Sequence, residues 1–200
     1  MIAAMSLKFE QKEPKIIAIN SMSGDSILIR EIRENGSDAA FAKLMKKYQE
    51  RVYWMVRRTI FDHDDADEIT QEVFIMVYQK IHQFREDSQF FTWLYKIASN
   101  MVLQSLRKKK LRNMVGLDQV SEIHSSDEPT AESEMIKSEW NEKLKAAIET
   151  LPPQQRLVFN MRYFDELSYE EISGILDKTT GGLKANYFHA VQKIKEQMEK

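Results

Sequence analysis

No cysteine occurs among the 200 residues, which rules out a disulfide framework, a thiolate nucleophile and cysteine-ligated metal. The lack also fits a reducing compartment. Proline and glycine are scarce, at 4 and 6 residues, so long helices run unobstructed. No apolar run approaches the roughly 18 residues that a membrane span needs. The opening MIAAMSLKFEQKEPK has no signal-peptide core. We therefore expect no membrane insertion and a cytoplasmic location. Neither sign of charge dominates: 29 basic against 31 acidic residues give a net charge of −2. General charge attraction cannot carry tight nucleic-acid binding in such a chain, so any contact must be local or assisted by a partner. H-E-x-x-H, P-loop and G-x-S-x-G motifs are all missing. His63 sits among Asp62, Asp64, Asp65 and Asp67, but acids suit a helix N-terminus and the spacing is not that of an EF-hand. No catalytic residue, metal ligand or cofactor is assigned, and an enzyme is not expected.

What is present is helical periodicity. Ala66, Ile69, Val73, Met76, Val77 and Ile81 form one stripe after an acidic start. Phe90, Leu94, Ile97, Ala98, Met101 and Ser105 form a second, ending in Arg107-Lys108-Lys109-Lys110, then Leu111 and Arg112. Cations suit a helix C-terminus and equally a phosphate backbone. Ahead of this hairpin, Asp25 is read as the cap of a helix through Ile27, Leu28 and Ile32. Asn35-Gly36 breaks the chain, and Ser37 opens a helix striped by Phe41, Leu44, Met45, Tyr48, Val52 and Met55. Residues 1–24 read as a flexible N-terminal tail, and 25–112 as a four-helix unit.

Between 113 and 135 the periodicity fades and Ser, Pro and acids dominate, the composition of a flexible linker. A second helical unit spans 136–200. Leu144, Ile148 and Leu151 close its first helix, and Pro152-Pro153 stops that helix and starts the next. Leu157, Val158 and Met161 follow. Ser168 and Glu171 make a capping box, Asp177-Lys178 a tight turn, and Thr179 the next cap. Two short helices joined in this way, the second with a polar outer face, predict a helix-turn-helix. The fold class is all-α, two helical domains on a tether.

The wording of both units goes further. D-A-D-E-I-T-Q-E-V-F at 65–74, Phe84, Phe90, T-W-L-Y-K-I-A-S-N at 92–100 and Leu106-Arg107 closely resemble region two of the sigma-seventy family of bacterial transcription initiation factors. L-P-P-Q-Q-R-L-V-F-N-M-R-Y-F at 151–164 and L-S-Y-E-E-I at 167–172, with Gly181 and Lys184, resemble its region four. The compact form is similar to the extracytoplasmic-function (ECF) class. There are departures: Glu68 stands where Asp is usual, Gln104 where Asp is frequent, Lys178 and Thr180 where apolar residues are usual, and Asn186 and His189 where Arg is common.

The resemblance implies a dissociable factor that binds core RNA polymerase and directs promoter recognition and DNA melting. It implies polymerase docking by Asp65, Glu68, Gln71 and Glu72. It places the downstream promoter element on Arg85, Gln89, Lys96, Asn100, Arg107, Lys108, Lys109 and Lys110, and the upstream element on Thr180, Lys184, Asn186 and His189 of the recognition helix. It implies that the acidic linker threads the polymerase channels, and that an anti-sigma factor is a typical partner. Phe74 reads as a second core face, and Trp93 as core rather than stacking platform. The competing reading is a promoter-binding regulator that works alone. It accounts for the C-terminal unit but not for the 65–100 wording.

Overall fold

The computed structural model describes residues 22–114 and 142–199, all helix, turn or short connection. The expected tail, apart from its last three residues, and the expected linker from 115 onward lie outside them. Helix α1 spans Met22–Asn35, α2 Asp38–Ile60, α3 His63–Lys80 and α4 Phe90–Met114. Residues 142–149 form α5, and α6, α7 and α8 span Pro153–Tyr163, Tyr169–Leu176 and Thr180–Met198.

Local chemistry sets most boundaries. Gly36 takes φ 59 after α1, and the Ser37 hydroxyl then accepts from the Ala40 N–H to start α2. Asp62 caps α3 by accepting from the Asp65 N–H, so one of the acids around His63 serves a helix end. The Ser168–Glu171 capping box forms in full at the head of α7, and Thr179 caps α8 through the Gly182 N–H. The expectation for Asp25 is corrected. The helix begins at Met22, and Asp25 lies inside its first turn, buried, where its carboxylate accepts from Lys47 Nζ and Tyr48 Oη, both at 2.5 Å. A tertiary contact has claimed the oxygen that a cap would use. Burial and Asp25 together push the Tyr48 hydroxyl pKa well above its ordinary value.

α2, α3 and α4 pack around Leu44, Val52, Met55, Val73, Val77, Leu94 and Ala98. α4 is buried on a second face as well: Tyr95, Ser99 and Val102 are fully enclosed, although the single stripe read from the sequence omits them. That face meets the helix-turn-helix unit, and the apolar core runs continuously into Leu157, Val158, Met161, Ile172 and Ile175. A second, smaller core joins α5, α6 and α8 through Ile148, Phe159 and Ile194.

The seam between the two units is also polar and specific. A helix leaves its last four carbonyls without partners. At the end of α2 two of these are satisfied from the other unit. Asn160 Nδ2 donates to the Arg58 carbonyl at 2.9 Å, and Arg156 donates to the Thr59 carbonyl at 2.8 Å. Arg58 in turn stacks on Phe164 and reaches Asp165 at 3.3 Å.

Candidate nucleic-acid interface

Two grooves flank α3. The first lies between α3 and the C-terminal half of α4, with a volume of about 360 Å3, and brings together Asp65, Glu68 and Glu72 with Lys108, Lys109 and Arg112. Lys109 Nζ stands 3.2 Å from Asp65 Oδ2. Two residues expected to face different partners, polymerase and DNA, are thus paired with each other. The second groove, about 560 Å3, runs between α2 and α3 and is mostly apolar: Phe41, Met45, Phe74, Ile75 and Tyr78, with Gln71 on its edge. Phe74 is buried as expected. Ile75 is 58% exposed and Tyr78 45%, an unusual outlay of apolar surface on one helix face. Tyr78 packs edge-on against Phe41 and donates to Asp38. Gln71, Ile75 and Tyr78 follow i, i+4, i+7 spacing. That spacing was available in the sequence and was obscured by the stronger stripe beside it.

The basic end of α4 divides by helical phase. At 3.6 residues per turn, Lys96, Asn100, Arg107 and Lys110 share one row, whereas Lys108, Lys109 and Arg112 turn toward α3. Asn100, Arg107 and Lys110 are exposed on that row, and Lys96 is held by Asp177 of the other unit at 2.5 Å. Arg85 and Gln89 are exposed on the loop ahead of α4. Arg33 of α1 fixes this loop: its guanidinium donates to the carbonyls of Ile81 and Phe84 and to Glu86, which itself takes a left-handed φ of 60. Sequence reading gave Arg33 no role, since nothing local marks a contact across some fifty residues. A pocket of about 60 Å3 opens beneath the loop among Tyr48, Ser88, Gln89 and Phe91. That is room for about two waters, so an unstacked base could enter only if the loop moves. Trp93 packs on Phe84 and Phe90 at 5.3 and 5.8 Å, joining the edge of the core as expected.

In the C-terminal unit, the outward face of α8 is centred on Gly181, Ala185, Phe188 and His189, all exposed. The four expected reading residues are spread around that centre. His189 lies on it. Lys184 stands at one edge, its ammonium 5.7 Å from the Tyr169 ring centre. Asn186 lies at the other edge and donates to the Gly182 carbonyl, and Thr180 is half-buried. Phe188, 58% exposed in the middle of the face, was not anticipated. An aromatic at that phase reads as core until the helix's register is known.

Comparisons with known proteins bear on the family and the fold of both units. Residues 44–112 match the family described as Sigma-70 region 2, and residues 141–194 match Sigma-70, region 4. The chain is 30% identical over 178 residues to the ECF RNA polymerase sigma factor SigW of Bacillus subtilis, with 85% of this chain and 94% of that one covered. It is 30% identical over 187 residues to the ECF RNA polymerase sigma-E factor of Escherichia coli K12, covering 88% and 94%. Among solved structures it resembles the sigma factor RpoE from Bartonella quintana, seen with the anti-sigma factor NepR. There the TM-score is 0.63 at 19% identity, with 80% of this chain and 96% of that one covered.

Proposed function

This chain belongs to the sigma-70 family as an ECF RNA polymerase sigma factor, a promoter-recognition factor of transcription initiation, and we propose that it divides that work among three surfaces. Core polymerase docks along the outward edge of α3. Ile75 and Tyr78 supply the apolar centre, Gln71 the adjoining polar contact, and Glu68 and Glu72 the rim; Asp65 serves mainly to hold Lys109. The downstream element lies along the Lys96, Asn100, Arg107 and Lys110 row, with Arg85 and Gln89 reaching the displaced strand from the loop. Lys108 adds a phosphate contact at its margin, whereas Lys109 is taken up by Asp65. The upstream element takes α8 in its major groove. Lys184 and His189 face base edges and phosphates there, and Phe188 suits a thymine methyl. Thr180 and Asn186 flank this contact.

The observation that carries the reading is the pairing, on one chain, of a helix-turn-helix with a four-helix unit that exposes an apolar groove and a basic row on separate faces. A regulator that works alone has no use for the groove. The chain acts in the cytoplasm, where polymerase is, and no described helix is long and apolar enough to cross a membrane. An anti-sigma factor is a further partner, by analogy with the complex of the Bartonella relative.

The test is run-off transcription from genomic promoter fragments, with and without core polymerase. Specific transcripts should need both proteins, and the isolated chain should bind duplex promoter weakly at physiological salt. Tight, sequence-specific duplex binding by the chain alone would instead establish the autonomous regulator.

A further inference from the structure

The loop between α3 and α4 takes its shape from a helix that precedes both. Phe84 and Phe90 are buried at its two ends and pack edge to face, with ring centres 5.7 Å apart. Arg85 to Gln89, between them, are all exposed. A short exposed span has little packing of its own to fix its shape. Each nitrogen of the Arg33 guanidinium serves a different acceptor in it: Nε the Ile81 carbonyl at 3.1 Å, Nη2 the Phe84 carbonyl, and Nη1 the Glu86 carboxylate at 2.8 Å. The guanidinium also lies 5.9 Å from the centre of the Phe84 ring. Two of these bonds hold main chain at the stem of the loop. The third reaches Glu86, whose φ of 60 is unfavourable for a residue with a Cβ. That carboxylate is 40% exposed, so this bond is the one that water or a ligand can exchange.

Arg33 does not act from an isolated position. Asp25, Ile29 and Arg33 follow i, i+4, i+8 spacing on α1. Asp25 and Ile29, with Ser26, line the pocket beneath the loop, and Ser88 and Gln89 line it from the loop itself. α1 therefore builds one wall of the pocket and fixes the stem of the loop above it. The stretch that matches Sigma-70 region 2 begins at residue 44, beyond α1.

We infer that Arg33 is a positioning residue for strand capture: its three-way hold on Ile81, Phe84 and Glu86 fixes the stem of the loop, so that Arg85 and Gln89 meet the displaced promoter strand in one register. The inference rests on the promoter reading given above. It also says how the small pocket opens. The stem stays bonded, the tip from Glu86 onward turns about it once the exposed contact lets go, and an entering base meets the same α1 wall each time. Lysine does not replace arginine here. Its ammonium is one point of charge, whereas the three acceptors are spread around a planar fork.

The experiment uses the full-length chain, core polymerase and a promoter fragment that gives run-off product. Single abasic sites are placed in turn along the displaced strand. In the wild type, one position should carry the largest loss. Arg33→Lys should lower run-off from the intact fragment about tenfold, the scale of a lost set of charge-assisted bonds that orient a reacting group. It should also level that one position while the losses at other positions stay. Capture by core polymerase should remain within about twofold of wild type, because distant sites act independently. A merely structural role would lower every position alike and would not erase one. Glu86→Gln, at an exposed site, removes only the ion pair and should weaken the same position to a smaller extent. The inference falls if Arg33→Lys keeps the wild-type profile, if it lowers all positions equally, if Glu86→Gln acts at a different position, or if the wild-type profile is flat. A wild type that gives no transcript from any fragment overturns the promoter reading itself, and this inference with it.

Discussion

Two apolar surfaces of this molecule meet opposite fates. The seam between the units is closed by the chain itself, with a continuous core and side-chain caps from Asn160 and Arg156. The α3 groove has the same kind of lining, but among the described residues nothing closes it, and Ile75 stands 58% exposed. The difference lies in the polar groups. In the seam, open helix carbonyls must find donors, so geometry is fixed and only one partner fits. In the groove, Gln71, Thr70 and Tyr78 sit on helix surfaces whose backbone is already bonded, so what is offered is mainly apolar area. The first surface therefore encodes a conformation, and the second, on the function proposed above, a place for another protein.

The largest test of that contrast is Ile75→Glu. A carboxylate in the groove should lower capture by core polymerase roughly a hundredfold, the scale of a hot-spot loss of about 2–4 kcal/mol. Thermal stability should hardly change, because the side chain is already in water. Glu68→Lys, on the rim, should cost much less, within about 1 kcal/mol. Equal losses for the two variants, measured by pull-down titration, would mean that charge rather than apolar contact drives docking.

Asn160→Ala tests the seam and should do the reverse. It removes both donated bonds to the end of α2 while leaving the groove untouched. An unmade buried bond costs about 1–3 kcal/mol, so the ratio of chains with the two units together to chains with them apart should fall roughly tenfold. Energy transfer between dyes on cysteines introduced at exposed Lys43 and Glu196 reads this directly. Polymerase capture should stay within twofold of wild type, and a joint loss of both properties would show that the two surfaces are not independent.

Much of this was legible in the sequence. Ser37, the Ser168–Glu171 box, Pro153 and Thr179 declared their helix boundaries, because capping is local chemistry between residues three or four apart. The family wording placed both units. What stayed hidden was long-range. Asp25 looked like a cap and became the buried partner of Lys47 and Tyr48. The second buried face of α4 was invisible because its occupant lies sixty and more residues downstream. The basic run at 107–110 read as one patch and divides between two faces, with Lys109 committed to Asp65. Phe188 and Ile75 show the same gap, since an apolar residue is assigned to the core by default and only the packed structure leaves it outside.

The smallest effect, and the one that most sharpens the contrast, is a pH dependence that the seam has and the groove lacks. The Asp165 carboxyl is 9% exposed, and desolvation raises its pKa from 3.8 to about 6 despite opposing attraction from Arg58 and Arg51. The groups facing it are those two arginines of α2, charged throughout this range, and Tyr95 of α4, whose own pKa burial drives further upward. In the closed chain the carboxyl therefore binds its proton more tightly than in an opened one, where water restores the ordinary value. The sign follows. Lowering the pH toward 4 favours the closed form, and raising it through 6 releases a proton that the closed form holds, so opening is favoured. With 3.8 open and about 6 closed, linkage gives about a fourfold rise in the open-to-closed ratio between roughly pH 5.5 and 7.5. Dye-pair energy transfer across that range should follow this curve. Asp165→Asn should flatten it and leave the chain more closed at pH 7.5, since the upward pKa shift means that the site favours a neutral group on balance. Polymerase capture through the groove should show neither change. A wild-type curve that is flat, or one that opens as pH falls, would place Asp165 in water and remove it from the seam.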